Sequence, residues 1–331
     1  MSFRTMNEEK SFVRDRSTAG LSHAKNFSLS FKMTCFFRCC VLVLFLSLTT
    51  TIAQAQHKID ATILKQLQFF EDSLKKLGNK FTGDSDEPER INANYAFIKT
   101  MVSALKTPDS YYYPFDSVKN ISIVNAPDNH FRIMAWHVMS DDGYYRFYGA
   151  IQINTGGSLK LYPLEDYSPF LPSPEDSVTN NHKWLGAQYY KIIQPNAETP
   201  YYTLLGWKGN SAQSTKKVIE VLSFNNNGPV FGMPVFDGNG KTRKRVVFEY
   251  AKQTAMMLKY IPEKQMLVFD HLSSPDGKTK DKPETYGPDM TYSGYKYKQG
   301  RWIFTDNLDM RNMPDIRDEL LTDPKLKNKG N

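Results

Sequence analysis

Apolar residues recur at helical spacing in two stretches of the chain. Ile59, Ile63, Leu67, Phe70, Leu74 and Leu77 fall three or four residues apart, which stacks them on one face and predicts an amphipathic helix over 57–77. Gly78-Asn79 supplies a left-handed stop. A second stripe begins near Asp86, with Pro88 in the first turn where its missing N–H is harmless, and runs through Ile91, Tyr95, Ile98, Val102 and Leu105 to the break at Pro108. Two such stripes must bury against each other or against a sheet.

From Ser110 onward the pattern changes to short runs of Tyr, Phe, Val and Ile separated by Gly, Asn, Asp and Pro, as expected of strands and turns. Strands are expected at 130–139 and 144–154, hinged at Asp141-Asp142-Gly143, and at 159–164 after Gly156-Gly157. Residues 165–182 read as a surface loop. Further strands follow at 184–194, 201–207, 217–224, 230–236, 245–251, 256–261, 266–271, 292–298 and 301–305, with a long polar loop over 273–288. No helical crossovers separate these runs, so the strands pair antiparallel. The expected fold class is therefore α+β, predominantly antiparallel β. About a dozen strands form a meander of hairpins, as a sandwich, barrel or propeller-like arrangement, with the two N-terminal helices packed on it. The expected organisation is a leader over 1–55, a helical segment over 56–107, the β domain over 108–313 and a polar tail over 314–331.

The first 55 residues carry a different message. Cys39–Leu48 is a short apolar run with Lys32 and Arg38 before it and Ala53-Gln54-Ala55 after it, the layout of a cleavable signal peptide. Cleavage is expected after Ala55, leaving no membrane span and an extracytoplasmic protein, periplasmic or secreted. Met33 also opens a conventional signal peptide, so either Met1 or Met33 serves as the start. Cys35, Cys39 and Cys40 all precede the cleavage point, so the mature chain has no disulfide, thiolate metal site or cysteine nucleophile.

Charge changes the picture once the leader is set aside. The formal net charge of the full 331-residue chain is +7, but seven of its 42 Lys/Arg and three of its 35 Asp/Glu lie in 1–55, so the remainder carries only +3. That surface gives no electrostatic footprint for nucleic acid. Aromatics are the compositional excess: all 19 Tyr, all 4 Trp and 14 of the 21 Phe follow residue 55, with clusters at Tyr111-Tyr112-Tyr113, Tyr144-Tyr145, Tyr189-Tyr190 and Tyr201-Tyr202. On a strand one ring of a pair faces the core and its neighbour faces out, where it can stack on a ligand. Tyr144, Tyr190, Tyr202 and Trp207 are the ligand-binding candidates.

Familiar catalytic motifs are broken. Gly240-Lys241-Thr242 lacks the earlier glycine and following helix of a phosphate loop, and Arg243 spoils a dinucleotide fingerprint at Gly238-Asn239-Gly240. Asp237 and Asn239 offer hard oxygen ligands for calcium but lack the terminal Glu of a calcium loop, so no cofactor or metal is expected. The five histidines after the leader show no helical zinc spacing. The most suggestive polar set is Asp270, His271 and Asp289, which bracket the 273–288 loop and, with Glu249 and Asp306, could furnish paired carboxylates for glycoside hydrolysis. The expectation is an exported, non-catalytic β-rich protein that binds a ligand or a cell-envelope partner. The alternative is an extracytoplasmic hydrolase using the Asp270, His271 and Asp289 set.

Overall fold

The structure, a computed structural model, describes residues 57–275, 279 and 281–310. The expected leader and the expected polar tail after 313 lie outside these residues. Helix α1 (Ala61–Gly83) starts at Asp60, whose carboxylate accepts from the N–H groups of Thr62 at 2.8 Å and Ile63 at 3.4 Å. It buries Leu67, Leu74 and Phe81. The helix does not stop at Gly78. A Cβ there would lie 2.7 Å from Asn120 Oδ1, so the glycine lets the segment before the first strand approach the helix closely, and the helix runs on to Gly83. Helix α2 (Glu87–Leu105) begins where Asp86 and Pro88 predict it, with Glu87 and Glu89 in the first turn complementing the helix dipole.

Sixteen strands follow among the described residues. Strands β1 (Ser122–Asn125), β2 (Phe131–Met139), β3 (Tyr145–Ile153) and β4 (Lys160–Glu165) form a first sheet in sequence order, a pure antiparallel meander. The second sheet contains β5 (Thr179–Asn180), β6 (Gln188–Ile193), β7 (Tyr202–Gly209), β8 (Ser214–Asn225), β9 (Gly228–Phe231) and β12 (Val246–Ala251). Its long strand β8 pairs with β7 on one side and with β9 and β12, end to end, on the other. The third sheet contains β10 (Phe236–Gly238), β11 (Lys241–Arg243), β13 (Leu258–Ile261), β14 (Met266–Ser273), β15 (Gly287–Lys298) and β16 (Arg301–Thr305). Here β16 lies between β15 and β10 and is parallel to β10, a departure from the antiparallel rule.

The apolar side chains show how the layers stack. Met134, Trp136 and Val138 of β2 join Leu67, Phe81, Phe97 and Met101 of the helices in one core. The alternate residues Phe131, Ile133 and Ala135 face Tyr202, Leu204, Val218 and Phe231 of the second sheet. The other face of the second sheet, through Leu205, Ile219 and Val221, packs on Phe236, Leu267, Phe269 and Trp302 of the third. The order is helices, first sheet, second sheet, third sheet. Of the sandwich, barrel and propeller-like arrangements left open by the sequence, the structure has a stack of three sheets, and none of the described sheets closes into a barrel. Burial on both faces explains why β2 and β7 read as nearly continuous apolar runs: eight of the nine residues of β2 and all of β7 are buried.

Some polar groups go inside with them. Arg132, 1% exposed, donates from Nε to Gln152 Oε1 at 2.8 Å, and from Nη1 and Nη2 to the carbonyls of Tyr113 and Ser110, each at 2.7 Å. Its guanidinium also lies 5.6 Å and 5.5 Å from the ring centroids of Tyr111 and Phe115. These bonds, all to neutral acceptors, tie the irregular 110–115 segment to β2 and β3. Arg132→Met removes the donors and leaves the buried Tyr113 carbonyl and Gln152 Oε1 unsatisfied, so unfolding by urea is expected at a free energy lower by about 3 kcal/mol. An unchanged midpoint would show that this network does not hold the segment.

Candidate functional site

Of the residues nominated from sequence, His271 and Asp289 do meet. The Nδ1 of His271 is 2.6 Å from Asp289 Oδ2, while Asp289 Oδ1 accepts from the Thr291 N–H at 3.0 Å and its hydroxyl at 2.6 Å. Partial burial works to raise the Asp289 pKa, but the hydrogen bonds from Thr291 and His271 outweigh it and hold the carboxyl down at about 2. Asp270 is engaged elsewhere. Its Oδ2 accepts from the N–H of Met257 at 2.7 Å, beside an irregularity in the β14–β15 pairing that falls between Asp270 and Leu272. The loop between those strands is narrower than expected, because Leu272 pairs with Pro288 and Ser273 with Gly287. Glu249 is held by Ser214 at 2.6 Å, Asn210 at 2.9 Å and Lys216 at 3.1 Å, and Asp306 by Ser293 at 2.7 Å. Each carboxylate therefore has its own set of partners. Among the described residues no group of three or more His, Cys, Asp or Glu is placed to hold a metal. Asp237, considered with Asn239 for calcium, is gripped by Arg301 at 2.5 and 2.6 Å and by Thr242 at 2.5 Å.

The aromatic candidates divide. Tyr144 is 58% exposed. Tyr190 donates to the Leu258 carbonyl at 2.8 Å, with Lys217 Nζ 4.7 Å from its ring centroid. Tyr202 is buried and donates to Asp128 at 2.6 Å. Trp207 is buried among His137, Tyr145 and Phe147, with centroid separations of 5.2, 5.6 and 6.2 Å.

A concave site forms elsewhere, where the end of α2 meets the end of β3. The cleft has a volume of about 320 Å³ and is walled by 105–112 on one side and 152–159 on the other. Its floor is the network around Arg132. Gln152, its Oε1 held by Arg132, turns its amide nitrogen to Ser110 Oγ at 3.2 Å, and Ser110 donates in turn to the Leu105 carbonyl at 2.7 Å. The residue before this segment's single helical turn, Asp109, sits at φ 58, which swings the chain from the helix end into the Tyr cluster.

Two tyrosines complete the wall. Tyr111 is buried and anchored by its hydroxyl on the Asn129 carbonyl at 3.0 Å; burial, partly offset by Arg132, pushes its phenol up to about 12. Tyr112 packs edge-on against it at 5.4 Å, is 40% exposed, and reaches Asn154 Oδ1 at 3.4 Å. Asn154 is oriented by its own bond to the Asn129 carbonyl at 3.0 Å. The opposite lip, 155–158, is a turn held by Thr155 Oγ1 on the Ser158 carbonyl at 2.7 Å. The triple-tyrosine run is the visible signal for this site in the sequence. Its pairing with Gln152 and Asn154 needs the three-dimensional register.

Comparison with known proteins adds no relative. No protein-family profile, curated protein or solved structure matches the chain.

A second polar group stands out by its burial. Lys208, 5% exposed, places Nζ 3.1 Å from Ser168 Oγ and 4.5 Å from the Phe147 ring centroid; Ser168 donates onward to Asp166 Oδ1 at 2.6 Å. Burial pulls the amine down to about 8, against the opposing pull of Asp166 and with help from Lys216. The folded chain therefore binds this proton less readily than the unfolded chain does. The resulting penalty is complete below pH 8 and fades as pH rises toward the ordinary lysine value of 10.5. Lys208→Met is expected to stabilise the fold at pH 7, by about 2 kcal/mol, with the gain shrinking by pH 10. Paired thermal melts of variant and parent across that range check it. A gain independent of pH would assign the effect to packing alone.

Proposed function

We propose that the protein is an exported, non-catalytic binding protein that takes a small polar ligand in the cleft between the end of α2 and the end of β3. The observation that carries this reading is the preformed floor: Ser110 and Gln152 are both buried and both fixed by Arg132 before any ligand arrives. A site whose polar groups are already oriented loses little conformational entropy on binding. The volume, about 320 Å³, sits at the lower end of the range of roughly 300–1,000 Å³ found for small-molecule clefts. The Asp289 and Asp306 carboxylates, by contrast, are engaged by neighbouring side chains and, at Asp289, by a turn N–H.

Binding is tested by thermal melts of residues 56–331 against a panel of monosaccharides, amino acids, nucleosides and dicarboxylates. A compound that uses the cleft raises the melting temperature of the parent. With Tyr112→Ala it loses about tenfold or more in affinity, while the circular dichroism of the variant stays unchanged. Absence of any shift that depends on Tyr112 would remove the reading. Export is tested separately: mass spectrometry of the protein recovered from its producing cell is expected to find Gln56 at the N-terminus, and an intact Met1 or Met33 would contradict it.

A further inference from the structure

Building on the cleft reading, we infer that the ligand is a neutral, hydroxyl-bearing ring, a pyranose sugar in chemical class. The charges around the cleft largely offset one another, leaving about half a positive charge. Lys106 lies on the rim with Asp109, the C-terminal end of α2 carries about half a negative charge, and the Arg132 guanidinium stands behind the floor. An ionised ligand would give up its hydration for a field of only about half a charge, which does not repay its desolvation. A neutral ligand has no such penalty.

The uncharged groups are those that a sugar ring needs. Tyr112 offers an exposed aromatic surface, and Tyr111, packed edge-on at 5.4 Å and anchored on Asn129, fixes where that surface stands. A pyranose presents patches of C–H on its faces, suited to an aromatic wall, and a rim of hydroxyls that both donate and accept. Such a rim can take the amide hydrogens that Gln152 and Asn154 do not spend on their protein partners. Gln152 keeps one amide hydrogen beyond the bond it makes to Ser110, and Asn154 stands beside Tyr112 with its amide oriented by Asn129. Arg132 takes Gln152 Oε1, so the amide nitrogen is the end turned toward Ser110, which lines the cleft with it.

The test is isothermal titration of residues 56–331 with glucose, galactose and N-acetylglucosamine, their methyl glycosides, and the charged counterparts glucuronate and glucosamine at pH 7. At least one neutral sugar is expected to bind, with glucuronate and glucosamine weaker by about tenfold or more. Tyr112→Phe is expected to keep affinity within a few-fold, whereas Tyr112→Ala reduces it by about tenfold or more. Tighter binding of the methyl glycosides than of the free sugars assigns the source to glycan ends, and the reverse order to free monosaccharides. Equal or better binding of a charged sugar, or Tyr112-dependent binding confined to an amino acid, nucleoside or dicarboxylate, overturns the sugar inference and leaves the cleft reading standing. If no compound of either panel binds through Tyr112, both fall together.

Discussion

The first and second sheets are each covered on both sides, and this double burial governs the rest of the molecule. A strand in such a position cannot alternate apolar and polar residues. β2 and β7 are accordingly almost wholly buried, and any polar side chain placed on them must find its partners within the protein. Arg132 does so through carbonyls and an amide. Glu220 and Arg245, both completely buried, pair at 2.8 Å. Glu220 Oε2 has no hydrogen-bond partner among the described residues, and burial raises the pKa of this carboxyl against the pull of Arg245. Trp136 finds Asn94 at 2.7 Å, and His137 finds Gln188 at 2.6 Å.

The cleft is a by-product of one of these internal solutions. Chain leaving α2 has to cross the end of the first sheet to reach β1, and it does so through the Tyr111-Tyr112-Tyr113 run. Arg132 holds that crossing by two backbone carbonyls, Ser110 and Tyr113, and also fixes Gln152 on the neighbouring strand. Crossing segment and sheet end thus share one cation, and Ser110 ties the helix end to them through the Leu105 carbonyl. The ring that faces outward, Tyr112, sits along the chain between the two residues whose carbonyls Arg132 binds. Structural need and surface chemistry meet in the same few residues.

Much of the architecture was legible because its determinants are local. The α2 boundary follows from Asp86 and Pro88, and the hairpin of β2 and β3 from Asp141-Asp142-Gly143. Gly78 misleads for a specific reason: its lack of a side chain serves contact with Asn120, a residue far along the chain, and not helix termination. The short strands β1, β5 and β11 have too few residues for periodicity to show, and β10–β16 pairing joins segments more than sixty residues apart. The aromatic candidates illustrate the same limit. Tyr144 is exposed while Tyr202 and Trp207 are buried, because sheets covered twice bury both sides of a strand and the inside–outside alternation no longer sorts them. The cleft depends on β3 lying beside the crossing segment, a non-local placement that no spacing encodes.

The layers also follow the chain in time. Helices and first sheet are complete by Glu165, the second sheet spans Thr179–Ala251, and the third reaches β16 at Thr305. A chain that emerges N-terminus first into the compartment where it folds can therefore assemble one layer on the previous one, each new sheet finding its apolar floor already laid. The third sheet is the exception. Its edge pair β10–β11 is synthesised first and stands apart until β16, the last of the described strands, wedges between β10 and β15. That late strand acts as a keystone, and until it arrives Phe236 lacks its ladder partner Trp302.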